Sequence, residues 1–172
     1  MIAIASYIYL QIGGIASAFL FSIGLLSILN MDFKLYTGTI GFYHSSWQDI
    51  KMLMTILIGN CIGTSLLLMF PNAEAQALVA AKLALLPGIV FIKAVVCGIF
   101  MYIAVACFRN SAYYMVPVCV AGFILFGGEH CIADLCYFIA SNSFDYRMFP
   151  FFITTLIGNS TGAILIDKIK VL

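Results

Sequence analysis

The chain contains long stretches without a single charged residue, and these restrict its possible folds more than any other feature. No charge occurs between Met1 and Met31, and a second uncharged stretch runs from Met52 to Ala73. A helix of about 20 apolar residues crosses the hydrocarbon core of a bilayer. Only 9% of the residues are charged, whereas a soluble domain has about 25%. The sequence therefore predicts an all-α membrane protein with one domain over residues 1–172.

The other composition data argue against several classes of protein. The formal net charge is +1, which gives no reason to expect a nucleic-acid partner. The six cysteines all lie in apolar segments, and none belongs to a C-x-x-C pair. Buried free cysteines behave as small hydrophobic side chains. We therefore expect no disulfide framework, no metal site and no cofactor.

One polar stretch interrupts the apolar sequence, and it reads Gly127-Gly128-Glu129-His130-Cys131-Ile132-Ala133-Asp134. Ionisable side chains are unfavourable at membrane depth and commonly mark the path of an ion or a proton. The paired glycines favour a departure from regular helix. Non-helical backbone is tolerated inside a membrane only where protein buries it or where it lines a watery cavity. The stretch therefore predicts a broken helix at the centre of a pore.

Two further positions favour breaks in helices. Gly13-Gly14 can divide the N-terminal stretch into two helices, of which the first is too short to cross the hydrocarbon core; the alternative is a later break. Asp32 and Lys34 interrupt the next apolar segment, and we expect the break at Thr37-Gly38. The alternative there is an ordinary helix end at the membrane surface. Uninterrupted transmembrane helices are predicted over residues 52–73, 91–108 and 148–166.

The sequence also contains an internal repeat. The segment Thr55–Gly63 aligns without gaps with Thr154–Gly162, and six of the nine positions are identical. Each copy follows an apolar segment with a predicted break. Such a pattern is the best sequence indication of a transport site between inverted repeats. We therefore predict about six transmembrane helices in an inverted 3+3 arrangement with two broken helices. The alternative is that the glycines serve only close helix packing.

Several short motifs occur in a consistent order along the chain: Phe21-Ser22-Ile23-Gly24-Leu25, Leu35-Tyr36-Thr37-Gly38, the two Gly-Asn-x-x-Gly motifs at Asn60 and Asn159, Lys82 ahead of Phe91, and Gly128-Glu129-His130 followed by Ala133. Together they resemble the motifs of the formate/nitrite transporter family, which includes formate, nitrite and hydrosulfide channels. The resemblance covers most of the chain from about Phe21 onward.

The resemblance implies a fold, an assembly and a cargo. It implies an aquaporin-like helical fold and a homopentamer in the lipid bilayer, with one pore through each protomer. It implies a channel or transporter, not an enzyme, for small monovalent anions or their conjugate weak acids. We expect a multi-pass protein of a prokaryotic cytoplasmic (inner) membrane.

The resemblance also implies roles for particular residues. His130 would be the central histidine, Thr37 the threonine that faces it, and Lys82 the charge that attracts anions. Glu129, Asn60 and Asn159 would support them. The apolar constrictions would be formed by Phe21, Leu25, Leu35, Tyr36, Val105 and Phe123. The chain departs from the family pattern at Tyr102 and at Asp134, because the family has asparagine at both positions.

The expected mechanism is that His130, aided by Thr37, supplies or orients a proton between two apolar gates, since an imidazole titrates near neutral pH. Glu129 would orient the ring or fix the loop backbone. The structural alternative is that Glu129 and His130 only hold the broken helix in place. Two other classes remain open: a membrane metalloenzyme that uses His130, Asp134 and Cys131, and an accessory membrane subunit that transports nothing.

Overall fold

The computed structural model describes residues 1–170, and these residues form helices and connecting loops without a β-strand. A 3₁₀ segment, Ser65–Met69, continues the fourth helix. The helices are α1 (Ile2–Ile12), α2 (Gly14–Asn30), α3 (Tyr36–Thr39), α4 (Trp47–Thr64), α5 (Ala73–Leu83), α6 (Pro87–Arg109), α7 (Met115–Leu125), α8 (Cys131–Ala140) and α9 (Met148–Lys170). The prediction of an all-α fold is confirmed.

Within residues 1–170, three helical segments are long and apolar enough to cross a membrane: Trp47–Met69, Pro87–Arg109 and Met148–Ile169. The remaining apolar helices α1, α2, α7 and α8 are shorter. Two pairs of elements, α2 with α3 and α7 with α8, are each separated by a short non-helical loop. These pairs are the two broken helices that the sequence predicts.

The N-terminal stretch divides at the paired glycines. Gly13 and Gly14 have φ angles of 64° and 70°, a region that glycine adopts without the steric cost of a Cβ atom. Helix α1 therefore ends at Ile12 after 11 residues, and it reaches only about 16 Å. It folds back on α2, where Gly24 faces Ala5. The first of the two possibilities for this stretch is thus the one observed.

Two helix boundaries differ from the prediction. The first break lies before Thr37-Gly38, which are both inside α3. The chain turns at Asp32, whose φ is 54°, and short polar residues adopt this left-handed conformation more readily than apolar ones. Helix α4 begins at Trp47, not at Met52, because Ser46 and Asp49 form a reciprocal capping box.

Helices α6 and α9 form the most closely packed pair in the structure. They run parallel, since Ala94 lies against Gly158 at one end and the Tyr102 hydroxyl bonds Asp167 at the other. A Cβ added at Gly98 of α6 would meet the backbone of α9, and a Cβ added at Gly162 of α9 would meet the backbone of α6. The repeat-related Gly59 and Gly63 of α4 are exposed, with nothing within 4 Å of an added Cβ. Of the four glycines of the repeat, only Gly158 and Gly162 therefore serve close helix packing within the protomer.

Candidate functional site

The two helix breaks bring His130 and Thr37 together. The Nε2 atom of His130 lies 2.8 Å from Oγ1 of Thr37, and both residues are almost completely buried. His130 is the N-cap of α8, and its Nδ1 atom accepts the backbone N–H of Ala133 at 3.1 Å. An Nδ1 atom that accepts this bond carries no proton. We therefore assign the ring proton to Nε2, which donates to the Thr37 hydroxyl.

Two asparagines fix the ends of the broken helices. Asn60 accepts the backbone N–H of Tyr36 at 2.9 Å and donates to the carbonyl of Lys34 at 3.1 Å. Asn159 accepts the N–H of Cys131 at 2.9 Å and donates to the carbonyl of Glu129 at 2.8 Å. Helix termini leave backbone groups without partners, and these side chains satisfy them.

A largely buried ion-pair cluster lies next to His130. The ammonium group of Lys82, at the end of α5, contacts Oε2 of Glu129 and lies 2.9 Å from Oδ1 of Asp134. The side chains of Lys82, Glu129 and Asp134 are 12%, 3% and 1% exposed, respectively. The single ammonium group of Lys82 is therefore paired with the carboxylates of both Glu129 and Asp134. Glu129 directs its carboxylate to Lys82, and its backbone carbonyl is the part that binds Asn159.

A cavity of about 260 Å³ opens beside this cluster, and we call it the central cavity. An aromatic series forms one side of it. The rings of Phe21 and Phe123 meet edge to face at 6.5 Å, and Phe123 stacks on the imidazole of His130 at 6.0 Å. Tyr9 continues the series to Phe21 and Tyr137. Apolar rings and ionisable groups therefore share one cavity.

Six of the expected pore residues do not line the central cavity: Leu25, Leu35, Tyr36, Thr37, Tyr102 and Val105. All six are buried. Val105 faces α3, where a Cβ added at Gly38 would lie 3.3 Å from its Cγ2 atom. The hydroxyl of Tyr36 lies 3.0 Å from that of Ser160 on α9, and Tyr102 stacks on Phe42 and donates to Asp167. These contacts place Val105, Tyr36 and Tyr102 around α3 and α6, outside the cavity that contains His130.

Three residues of the cavity were missed or underrated by the sequence analysis. Asp134 contributes an acid to the Lys82 pair, and Tyr9 and Lys93 line the cavity from α1 and α6. Lys93 reaches the second break, since a Cβ added at Gly127 would lie 3.4 Å from its Nζ atom. The available signal for both charged residues was their position inside apolar segments. Their partners lie far away in the sequence, and the sequence pattern does not reveal them.

The described residues 1–170 contain no group of three or more His, Cys, Asp or Glu side chains placed to hold a metal ion. The set of His130, Asp134 and Cys131 considered for a metalloenzyme is therefore not assembled. All six cysteines are free thiols.

Comparisons with known proteins identify the fold. No protein-family model and no curated protein sequence matches the chain. Among solved structures, an ion channel of the FNT family superposes with a TM-score of 0.82 at 15% identity, covering 99% of this chain and 84% of that one. A pentameric formate channel with formate bound superposes with a TM-score of 0.77 at 18% identity, covering 99% of this chain and 89% of that one. The predicted formate/nitrite-channel fold is thus confirmed.

Proposed function

We propose that this chain belongs to the formate/nitrite transporter family and forms a transmembrane channel for small monovalent anions or their conjugate weak acids. The observation that carries the proposal is the His130–Thr37 pair at the meeting point of two broken helices. The similarity to a formate channel over 99% of the chain supports it. Residues 1–170 contain no group of three His, Cys, Asp or Glu side chains placed to hold a metal ion.

The hydrogen bonds at the pair define how it would act on a permeating molecule. The backbone N–H of Ala133 donates to His130, and His130 donates to Thr37. The Thr37 hydroxyl then keeps its own hydrogen, for which no acceptor exists among the described residues. We propose that this hydrogen is donated to an oxygen or sulfur atom of the cargo. For a full transfer, Nδ1 takes up a proton from water in the central cavity and gives up its bond to the Ala133 N–H. Nε2 then passes its proton to Thr37 as the hydroxyl proton moves to the anion, which leaves His130 neutral with its proton on Nδ1, so that His130 acts as a proton relay.

The apolar gates explain why proton supply matters. Removing the hydration shell of an anion is strongly unfavourable, whereas a neutral weak acid passes an apolar constriction much more easily. We propose Phe21 and Phe123 as the gate on the cavity side of His130, and Leu25, Leu35 and Val105 as the gate on the other. Tyr36 and Tyr102 would shape the second gate from behind, through their bonds to α9.

Attraction of anions is shared by two lysines in this proposal. The charge of Lys82 is balanced by Glu129 and Asp134. Lys93 lines the same cavity, and no acidic side chain lies within 4 Å of its ammonium group in the described part of the chain. We therefore propose that Lys93 provides most of the positive potential that draws anions into the cavity.

The proposed assembly is a homopentamer in a prokaryotic inner membrane. The pentameric state of the similar formate channel supports this stoichiometry. Exposed apolar side chains on α4 and α9, including Ile58, Ile62 and Ile157, are suited to contact with lipid or with another protomer.

The decisive experiment is anion flux into liposomes that contain the purified protein. Formate, nitrite and hydrosulfide should enter far faster than into empty liposomes, and an uncharged sugar of larger size should not. Native mass spectrometry of the same sample should show five chains. A monodisperse monomer, or flux equal to that of empty liposomes for all three anions, would instead favour an accessory subunit that transports nothing.

A further inference from the structure

The ion-pair cluster carries an unbalanced charge. With Lys82, Glu129 and Asp134 all ionised, one positive and two negative charges give the cluster a net charge of −1. The imidazole of His130 does not offset this charge, because its Nδ1 atom is occupied as an acceptor. A net negative charge beside the path is unfavourable for a permeating anion.

The second oxygen of Asp134 has no partner. Oδ1 of Asp134 binds Lys82, but Oδ2 is buried without a hydrogen bond to any described residue. Buried polar atoms are almost always paired, and an isolated exception requires an explanation. The side chain is 1% exposed and lines the central cavity. An ionised carboxylate in this position would leave a charged oxygen unsatisfied.

We propose that Asp134 is a proton-binding residue whose Oδ2 atom holds a proton while the pore conducts. The proton comes from water on the side where the cavity opens, and it returns there when Asp134 ionises. Protonation makes the cluster neutral and turns Oδ2 from an unsatisfied acceptor into a hydrogen-bond donor. Asp134 thereby limits anion passage to the pH range in which it is protonated. The transport part of this inference rests on the proposed function.

Other titratable groups surround Asp134, but they do not replace it as the proton site. Glu129 presents the oxygen that contacts Lys82, and no oxygen of Glu129 is buried without a partner. The remaining groups that face Asp134 or its cavity are Tyr9 on α1, Lys82 on α5, Lys93 and Cys97 on α6, His130 in the loop, and Cys131, Cys136 and Tyr137 on α8.

The proton can be observed independently of transport by infrared difference spectroscopy of the purified oligomer. A protonated carboxyl group has a C=O band that a carboxylate lacks. We expect this band in the wild type at about pH 7. It should disappear in Asp134→Asn and persist in Glu129→Gln. Absence of the band from the wild type, or its loss only in Glu129→Gln, would overturn the assignment. If sodium chloride abolishes the band and choline chloride does not, Asp134 binds a small cation instead of a proton.

The transport consequence is tested by flux in liposomes at several pH values. The asparagine side chain has the size of aspartate and retains an oxygen that can accept a hydrogen bond from Lys82. It is neutral at every pH. The flux of Asp134→Asn relative to wild type should rise at least about tenfold between about pH 6.5 and about pH 8.5. Native mass spectrometry should show the same oligomer for both proteins. A constant ratio between two conducting proteins contradicts the role of Asp134, whereas the proposed function fails only if the wild type conducts at no pH.

Discussion

Asn60 and Asn159 bind equivalent backbone atoms in the two halves of the chain. Each accepts the N–H of the first residue of the helix after a break, and each donates to the carbonyl two residues earlier. Asn159 also donates to the carbonyl of Ala94 at 2.8 Å and is completely buried, whereas Asn60 is partly exposed. The two halves thus use the same device to hold a broken helix, but with different degrees of burial.

We predict that Asn159→Ala destabilises the protein much more than Asn60→Ala. The substitution at Asn159 leaves the buried Cys131 N–H and Glu129 carbonyl without their partner and removes a second bond to the Ala94 carbonyl, and each unpaired buried group costs about 1–3 kcal/mol. Water can replace the partners of Asn60 in part. Thermal unfolding in detergent measures the difference. Equal losses in the two variants would contradict the proposed asymmetry.

The repeat illustrates what the sequence predicted well. Identical Gly-Asn-x-x-Gly motifs indicated equivalent positions in two halves, and the asparagines do occupy such positions. The break at Gly127 to His130 was also found, because glycines and ionisable residues are conspicuous in an apolar segment. The first break was misplaced at Thr37-Gly38, since the turn is made by Asp32, which does not require glycine.

The contacts between distant elements were not predictable from the pattern. In a soluble helix the apolar stripe identifies the buried face, but a membrane helix is apolar on the lipid face as well. The pairing of Lys82 with Asp134, and the access of Lys93 to the cavity, depend on how α5, α6 and α8 are placed around one another. For this reason the sequence analysis assigned Lys82 as the charge that attracts anions without identifying its two carboxylate partners.

The glycines of the repeat give a matched pair of substitutions. Gly162→Ala should strongly destabilise the protein, because its Cβ would meet the backbone of Val95 on α6. Gly63→Ala should be nearly neutral for the single protomer, because nothing lies within 4 Å of an added Cβ. Thermal unfolding and the yield of oligomer report the two effects. Loss of the oligomer alone in Gly63→Ala would place this glycine at a contact between protomers.

A second matched pair tests the aromatic gate. Phe123→Ala removes a ring that contacts both Phe21 and His130, so it should widen the path and speed anion flux or relax its selectivity. Phe138→Ala removes a buried ring that packs on Phe151 outside the cavity. Both substitutions should cost about 3–5 kcal/mol of stability. Unchanged selectivity in assembled Phe123→Ala would show that the ring serves packing only.

Lys93 is predicted to govern the attraction of anions. Lys93→Met keeps the apolar stem but removes the charge, and it should lower flux at limiting anion concentration by several-fold. The effect should shrink at high ionic strength, because salt screens the attraction. Lys168→Met, on the exposed end of α9, is the matched control. Equal fluxes in both variants at low salt would exclude this role for Lys93.

His130 is predicted to relay a proton, and its geometry permits a conservative test. Asparagine is a favourable N-cap residue, so His130→Asn should keep the bond to the Ala133 N–H and preserve the start of α8. It cannot titrate. Formate flux relative to wild type should therefore fall as the pH is lowered from about 7 to about 5, because uptake of a proton at Nδ1 of the wild-type ring becomes more frequent over this range.

The control for this test is His44→Asn, which changes the other histidine of the chain, in the loop before α4. This variant should follow the wild-type profile throughout. His130→Asn should retain the loss of flux at alkaline pH that we assign to Asp134. Asp134→Asn should retain the dependence of flux on pH in the acid range that we assign to His130. The two protonation steps are then separable. An assembled His130→Asn protein with the wild-type acid profile would mean that His130 only caps α8 and positions Thr37.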